Sequence, residues 1–379
     1  MDVKQNEFSS FFPILEQMSF LNHAGVAPIS GPAAMALRRY ADQAETSAYI
    51  GAGWYQRLAQ IKASAARLLN ARGSHEIAFV PNTTSGLAMV ANGLQWNCGD
   101  QVVISNIEYP ANRYPWENLT RRGVELIEVA QHPDGRIDVE DLCEAVTNRT
   151  RVVSISHVQY TTGYRIDLAP ISAMVHQAGG YLCVDAIQSV GVLPVDVQGS
   201  GIDFLSADGH KWMLSPEGCG LFYCHEDLCP LLHPNVVGWM NMVEADRYGD
   251  YRFELLPDAR RFEPASYNLP GILALGASID LLLETGIEQV WSSVESLTGR
   301  LCEGLSAKGY CINSPRARSG ERSGIVTFTA PSSHQPHERI IGQLQKQQIV
   351  IVVREGYLRA SPHFYNTPEQ IDRLIDALP

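Results

Sequence analysis

A chain of 379 residues, 45% of them apolar, is long enough for one large domain and one smaller one. Its 29 Lys and Arg against 41 Asp and Glu give a net charge of -12 with no basic block, which argues against nucleic acid or an anionic membrane as a partner. No apolar run approaches the ~18 residues of a membrane span, and the acid-bearing first residues lack the apolar core of a secretory signal, so a cytoplasmic protein is expected.

Residues 1–19 read as an arm with a short amphipathic helix, and 20–25 as a short strand entering a polar turn, in which His23 is either a plain turn residue or faces a cleft. Gly31-Pro32 opens a helix toward residue 44, with proline at an allowed first-turn position. A second helix, 54–69, carries Leu58, Ile61, Ala65 and Leu68 on one face. A strand at 77–80 breaks into PNTTSG before a helix at 87–94. Such a strand, turn and helix aims free backbone N–H groups at whatever sits above Thr83, Thr84 and Ser85, a seat for phosphate; the same hydroxyls would serve equally as helix caps.

From there the pattern alternates. Strands at 101–105, 125–129, 151–156 and 181–184 are separated by helices at 111–121, 137–146 and 171–177, and strands at 202–205 and 220–223 complete the series. Continuous apolar strands between helices predict an α/β domain with a mostly parallel sheet covered on both faces. Ligands of such sheets bind beyond the carboxyl ends of the strands, where Tyr109, Tyr160, Asp185 and Lys211 fall. Residues 228–257 are loop-rich, and 260–271 lead into helices at 272–283 and 287–307. A strand at 324–329, a helix at 338–347, strands at 349–353 and 358–361 and a helix at 368–378 predict a small α+β domain. The expected division is an arm over 1–25 packing with the small domain, a large domain over 26–265 and a small one over 266–379.

Eight scattered cysteines favour free thiols in a reducing compartment. Cys219, Cys224 and Cys229 are spaced by five, but Cys219 and Cys224 flank a strand with opposed side-chain directions, which does not suit zinc, and no metal site is expected.

The chemistry concentrates in SADGHKWMLSPEGCG, residues 206–220, where Lys211 sits between two apolar strands. Partial burial lowers the pKa of such an amine and frees its lone pair, as a Schiff-base lysine requires. Asp185, in YLCVDAIQS, stands just past another apolar strand.

DAIQ, DGHK, FEPASYN and YLRASPHFYNTPEQIDRL together resemble the class V aminotransferase superfamily of fold-type-I pyridoxal-phosphate enzymes, from Leu21 to Leu378. That superfamily includes cysteine desulfurases, selenocysteine lyases, isopenicillin N epimerases and kynureninases. The resemblance implies pyridoxal 5'-phosphate as cofactor, held covalently by Lys211, with Asp185 ionised beneath the protonated pyridine nitrogen and Gln188 at the phenolic oxygen. It assigns Thr84, Ser85 and His210 to the phosphate and Tyr109 to stacking on the ring. Ser266 reaches over the phosphate of a neighbouring subunit, implying a homodimer. Arg359 clamps the substrate carboxylate, and His23, Gln159 and Tyr160 join the substrate side.

Three departures bear on the reaction. Asp208 replaces a serine common in desulfurases and is expected to orient a neighbour instead of touching phosphate; Tyr160, beside Gln159, replaces an asparagine. The stretch before Arg359, VVVREGYLRAS, is short, and no cysteine follows Cys311, whereas desulfurases carry their persulfide-forming cysteine on a loop here. The expected activity is abstraction of the Cα proton of a small amino acid, first as an aminotransferase using a 2-oxo acid acceptor. A carbon–sulfur lyase or an epimerase, which begin with the same proton abstraction, are the alternatives.

Overall fold

Short apolar runs bounded by Gly, Asn and Asp form the strands, and longer stretches with a helical period form the helices. In chain order the elements begin with β1 (Ser19–Phe20), α1 (Gly31–Ser47), α2 (Trp54–Leu69), β2 (Ile77–Val80) and α3 (Thr83–Gly93). Next come β3 (Gln101–Ser105), α4 (Tyr114–Glu117), β4 (Glu125–Val129), α5 (Val139–Ala145), β5 (Thr150–Ser156), α6 (Leu168–Gln177), β6 (Tyr181–Asp185), β7 (Phe204–Asp208) and β8 (Gly220–Cys224). The last part holds α7 (Leu269–Thr285), α8 (Ile287–Ala307), β9 (Cys311–Ile312), β10 (Val326–Thr329), α9 (His337–Lys346), β11 (Ile349–Val350), β12 (Val352–Arg354), β13 (Tyr357–Ala360) and α10 (Pro368–Ala377). This computed structural model describes residues 8, 10–331 and 336–379, so much of the arm expected over 1–19 lies outside the described residues.

Seven strands form one sheet in the order β2-β8-β7-β6-β5-β3-β4, and β8 alone runs against the others. Side-chain alternation splits its residues between two cores. Val103, Leu182, Val184 and Leu205 pack on one face, and Val102, Ile104, Cys183 and Phe204 on the other. Covered on both faces, the strands show the continuous apolar runs that the sequence predicts. Cys219 belongs to the first core, Cys224 and Cys229 to the second. Among the described residues, no helix alone is long and apolar enough to cross a membrane.

The second sheet, β12-β13-β10-β9, is antiparallel and shares a third core with α9, α10 and the second half of α8. Two short strands tie the N-terminal segment to it: β1 pairs in parallel with β11. Helix α7 packs against α1 and α2 and places Ile272, Leu275 and Ile279 in the first core, which therefore continues beyond the expected boundary at 265. Helix α8 joins the two units, with Val290 and Val294 in the first core and Leu301 and Leu305 in the third.

Several elements differ from expectation for local reasons. The helix expected over 111–121 shrinks to the four residues of α4 between 3-10 turns, because Pro110 and Pro115 remove donors and restrict the residues before them. The strand expected at 349–353 splits into β11 and β12, since its two halves pair with different partners. Helix α3 begins at Thr83, not 87, because the Asn82 side chain accepts the Ser85 N–H and caps it there.

The start of α3 lies directly on β7. Ser206 Oγ donates to Thr83 O at 3.0 Å, and a Cβ added at Gly86 would fall 2.3 Å from that Oγ and 2.7 Å from Ser206 Cβ. Gly86→Ala should therefore destabilise by about 1–3 kcal/mol through overpacking. Gly342→Ala on α9, where a Cβ meets nothing within 4 Å, should be neutral or stabilising by up to about 1 kcal/mol. Urea unfolding of both variants checks this; equal effects would show that the α3–β7 contact is not tight.

Candidate active site

Strand β7 ends at Asp208, and the chain turns at once through Gly209, His210 and Lys211. Four regions fasten this turn. Gly209 N donates to Cys219 O at 3.0 Å, and Ala27 N, from the N-terminal segment, donates to His210 O at 2.9 Å. The fully buried Trp212 donates Nε1–H to Gln188 Oε1 at 2.8 Å, while its carbonyl lies 2.9 Å from His363 Nε2. Lys211 is thus fixed by its neighbours, with Nζ 5.7 Å from the centroid of the Tyr109 ring. Burial lowers its amine to about 8, against the pull of Asp185 and with the help of Arg359.

Asp185 ends β6, next to β7 in the sheet. Its Oδ1 accepts from Ile187 N at 3.1 Å. Burial nevertheless pushes the carboxyl up to about 7, outweighing that N–H and the nearby Lys211. The ionised state expected from the resemblance is therefore not secured by the protein's own groups; it needs a cation set against the carboxylate.

At the other end of the cavity Thr84 and His210 both line the wall. Ser85 does not: its N–H and its hydroxyl both donate to Asn82 Oδ1, at 2.9 and 3.0 Å, so the cap consumes it. With the Ser85 N–H taken by Asn82, the N–H groups of Thr83 and Thr84 are those of the first turn of α3 left outside intrahelical bonding. Thr83 Oγ1 accepts from Asp208 N at 3.0 Å. Asp208 Oδ2 lies 3.0 Å from His210 Nδ1, at ion-pair distance though without hydrogen-bond alignment, so the acid faces the histidine.

On the substrate side Arg359, on β13, is buried and donates Nη1–H to Tyr160 O at 2.8 Å, leaving Nε and Nη2 without partners. Burial, reinforced by Arg354, lowers its pKa to about 10. The Tyr160 ring meets that of Tyr109 edge-on at 5.1 Å. Gln188 lines the same cavity; its amide also donates to Ala24 O at 3.1 Å.

Two residues expected on the substrate side do not line the cavity. His23 is fully buried, with Nδ1 2.8 Å from Ser361 O and Nε2 2.6 Å from the Tyr365 hydroxyl, and it does not line the cavity. Pairing of the N-terminal segment with the small sheet draws it inward, and burial then lowers its pKa well below the usual value. Gln159 is also withdrawn, donating Nε2–H to Glu108 Oε1 at 2.9 Å. Ser266 is exposed and lies outside its own chain's cavity. Sequence reasoning missed Asn22 and Arg354, which line the cavity, and Glu108. The Glu108 carboxylate accepts from Ser105, Asn112, Ser156 and Gln159, and so ties the Tyr109 loop to the end of β5.

The residues fit the cofactor that the resemblance implies. A buried acid lacks a fixed cation, an amine whose pKa burial lowers to about 8 faces the same space, a capped helix start presents Thr84, and Asp208 Oδ1 and two Arg359 nitrogens are unpartnered. Sheet position explains why they meet: β2, β6 and β7 all deliver their carboxyl ends to this edge.

The raised Asp185 pKa has a consequence for the apoprotein. An acid whose folded pKa is raised, from 3.8 to about 7, destabilises the fold increasingly as pH rises between those values. Asp185→Asn should remove this penalty, with a stability advantage over the wild type growing by roughly 1–3 kcal/mol from pH 5 to pH 8. Urea unfolding of both apoproteins at the two pH values tests it, and an advantage that shrinks with pH would contradict the assignment.

Comparison with known proteins agrees with this geometry. The model of the family described as aminotransferase class-V matches residues 37–374. A probable cysteine desulfurase of Methanothermobacter thermautotrophicus is 31% identical over 97% of this chain and 95% of its own length. An uncharacterized aminotransferase, YcbU, of Bacillus subtilis is 26% identical over 100% of this chain and 98% of its own. The cystine C-S lyase C-DES, solved with its reaction product cysteine persulfide, superposes with a TM-score of 0.85 at 25% identity, over 96% of this chain and 98% of its own. With the lysine, acid and arginine placed as described, the chain belongs to the class-V aminotransferase family and is a pyridoxal-phosphate-dependent enzyme of fold type I.

Proposed function

We propose that the enzyme is a carbon–sulfur lyase, cleaving the Cβ–S bond of a sulfur-bearing amino acid by elimination, with no enzyme cysteine to carry the sulfur. One observation carries this reading. Between β12 and β13 the chain turns in two residues, Glu355 and Gly356, with φ of 48° and 82°. Such a tight hairpin turn leaves no loop at the point where desulfurases carry their nucleophile, and no cysteine lines the cavity among the described residues. The same absence led the sequence reading to transamination, but elimination needs that cysteine no more than transamination does. The likeness to a cysteine desulfurase and to a cystine lyase favours sulfur chemistry.

Each residue then has a task. The bound cofactor supplies a sink for the electron pair left when Cα loses its proton. Lys211 Nζ, poised near neutrality, takes that proton. Arg359 holds the α-carboxylate with the nitrogens that lack partners. Asp185 sits where it can keep the ring nitrogen protonated, and Tyr109 where it can stack. The Cβ–S electron pair leaves with sulfur, and the remaining fragment hydrolyses to pyruvate and ammonia.

The working unit in this proposal is a homodimer. Tyr248, Tyr251 and Phe253 are 81%, 98% and 71% exposed in one segment, an apolar surface suited to a second copy. Ser266, exposed and outside its own cavity, would serve the neighbour's. Sedimentation of the active enzyme should show a dimer; activity in a species that stays monomeric would refute it.

Incubating the holoenzyme with cysteine, cystine and S-substituted cysteines, with and without a 2-oxo acid, tests the reaction. Pyruvate formed without the acceptor is expected. Alanine as the product would mean desulfuration, and turnover only with the acceptor would restore transamination.

A further inference from the structure

The cavity holds a second arginine that the carboxylate clamp does not use. In the β12–β13 pair Val352 lies opposite Arg359 and Arg354 opposite Tyr357. Residues two apart on a strand share a face, and directly opposed residues share it too. Arg354, Val352, Tyr357 and Arg359 therefore lie on one face of the hairpin, and both arginines line the same cavity as Lys211. The two-residue turn fixes this register, because a slip by one residue would turn Arg354 to the other face.

The charge balance leaves Arg354 without an anion. Among the described residues no carboxylate is within ion-pair distance of it. The acids around the cavity are placed elsewhere: Asp208 faces His210, Asp185 is buried at the end of β6, and Glu355 does not line the cavity. Glu217 also lines the cavity and is exposed. A monocarboxylate substrate would meet Arg359 and leave the second guanidinium unmatched.

Resting on the lyase reading for the reaction, we infer that Arg354 is a specificity residue that recognises a second anionic group, a carboxylate or sulfonate, on the outer part of the substrate's side chain. The substrate class is then an amino acid with an acidic β-substituent. Such a pair of arginines reads charge at both ends of one molecule: Arg359, buried and oriented by Tyr160 O, takes the fixed α-carboxylate. Arg354, exposed at the end of β12, takes a group whose position varies with the substituent.

Binding separates this from the reaction type. Titrating the holoenzyme with L-aspartate and L-asparagine, which differ mainly in charge, and following the cofactor's visible absorption gives a dissociation constant for each. Aspartate should bind at least about tenfold more tightly. Arg354→Gln should abolish that ratio chiefly by weakening aspartate, Arg354→Lys should keep part of it, and Arg359→Gln should weaken both ligands. A wild-type ratio near one, or equal losses for both ligands in Arg354→Gln, would overturn the inference, the latter by placing Arg354 on the α-carboxylate. Failure to release pyruvate would refute the lyase reading and leave this ratio unaffected.

Discussion

Asp185 and Lys211 are both taken out of water at the ends of adjacent parallel strands, and each is a poorer ion there than in solvent. Desolvation drives the acid up and the amine down, so two groups whose ordinary values lie far apart come close together. The arrangement costs the apoprotein stability, on the order of a few kcal/mol, and persists because the surrounding sheet over-determines it. Trp212 is locked by Gln188 and His363, and β7 and β8 are buried along their whole length. The site is held by a core that does not depend on it.

The second unit provides what the sheet cannot. Arg359 lies in the middle of an antiparallel sheet, paired on both sides, where its guanidinium is desolvated but only partly hydrogen-bonded. A charge in that state is costly until a carboxylate arrives, which favours ligands able to accept two hydrogen bonds from it. Helix α8 carries packing from one core to the other, so the two halves of the cavity are joined by a continuous rigid element as well as by the substrate.

Much of this was legible in the sequence, and what was missed has physical causes. The parallel sheet followed from uninterrupted apolar strands, and two of them pointed to Asp185 and Lys211 at or just beyond their ends, whereas Arg359 came only with the family resemblance. Local periodicity could not show that β1 would pair with a strand more than three hundred residues away, so His23 was read as a turn or cleft residue, whereas it is buried in the core. Ser85 illustrates competition within one turn: a hydroxyl that could meet phosphate was claimed by the nearer Asn82. Glu108 gave no signal, because an acid beside an aromatic in a loop looks solvated until Ser156 and Gln159 fold onto it.

The pairing of β1 with β11 also sets the order in which the molecule can be completed. His23 N donates to Ser361 O, and Leu21 N to Val350 O, so the segment that brings Asn22 and Ala24 to the cavity has its partners near the far end of the chain. During synthesis the large sheet can form from its own sequential strands, but this segment must wait, unpaired, until Ser361 has emerged. Closing so long a loop is slow compared with folding local helices. Cofactor capture in the finished geometry therefore waits for Ser361, and a chain interrupted before it would hold Lys211 in a sheet whose cavity still lacks a wall.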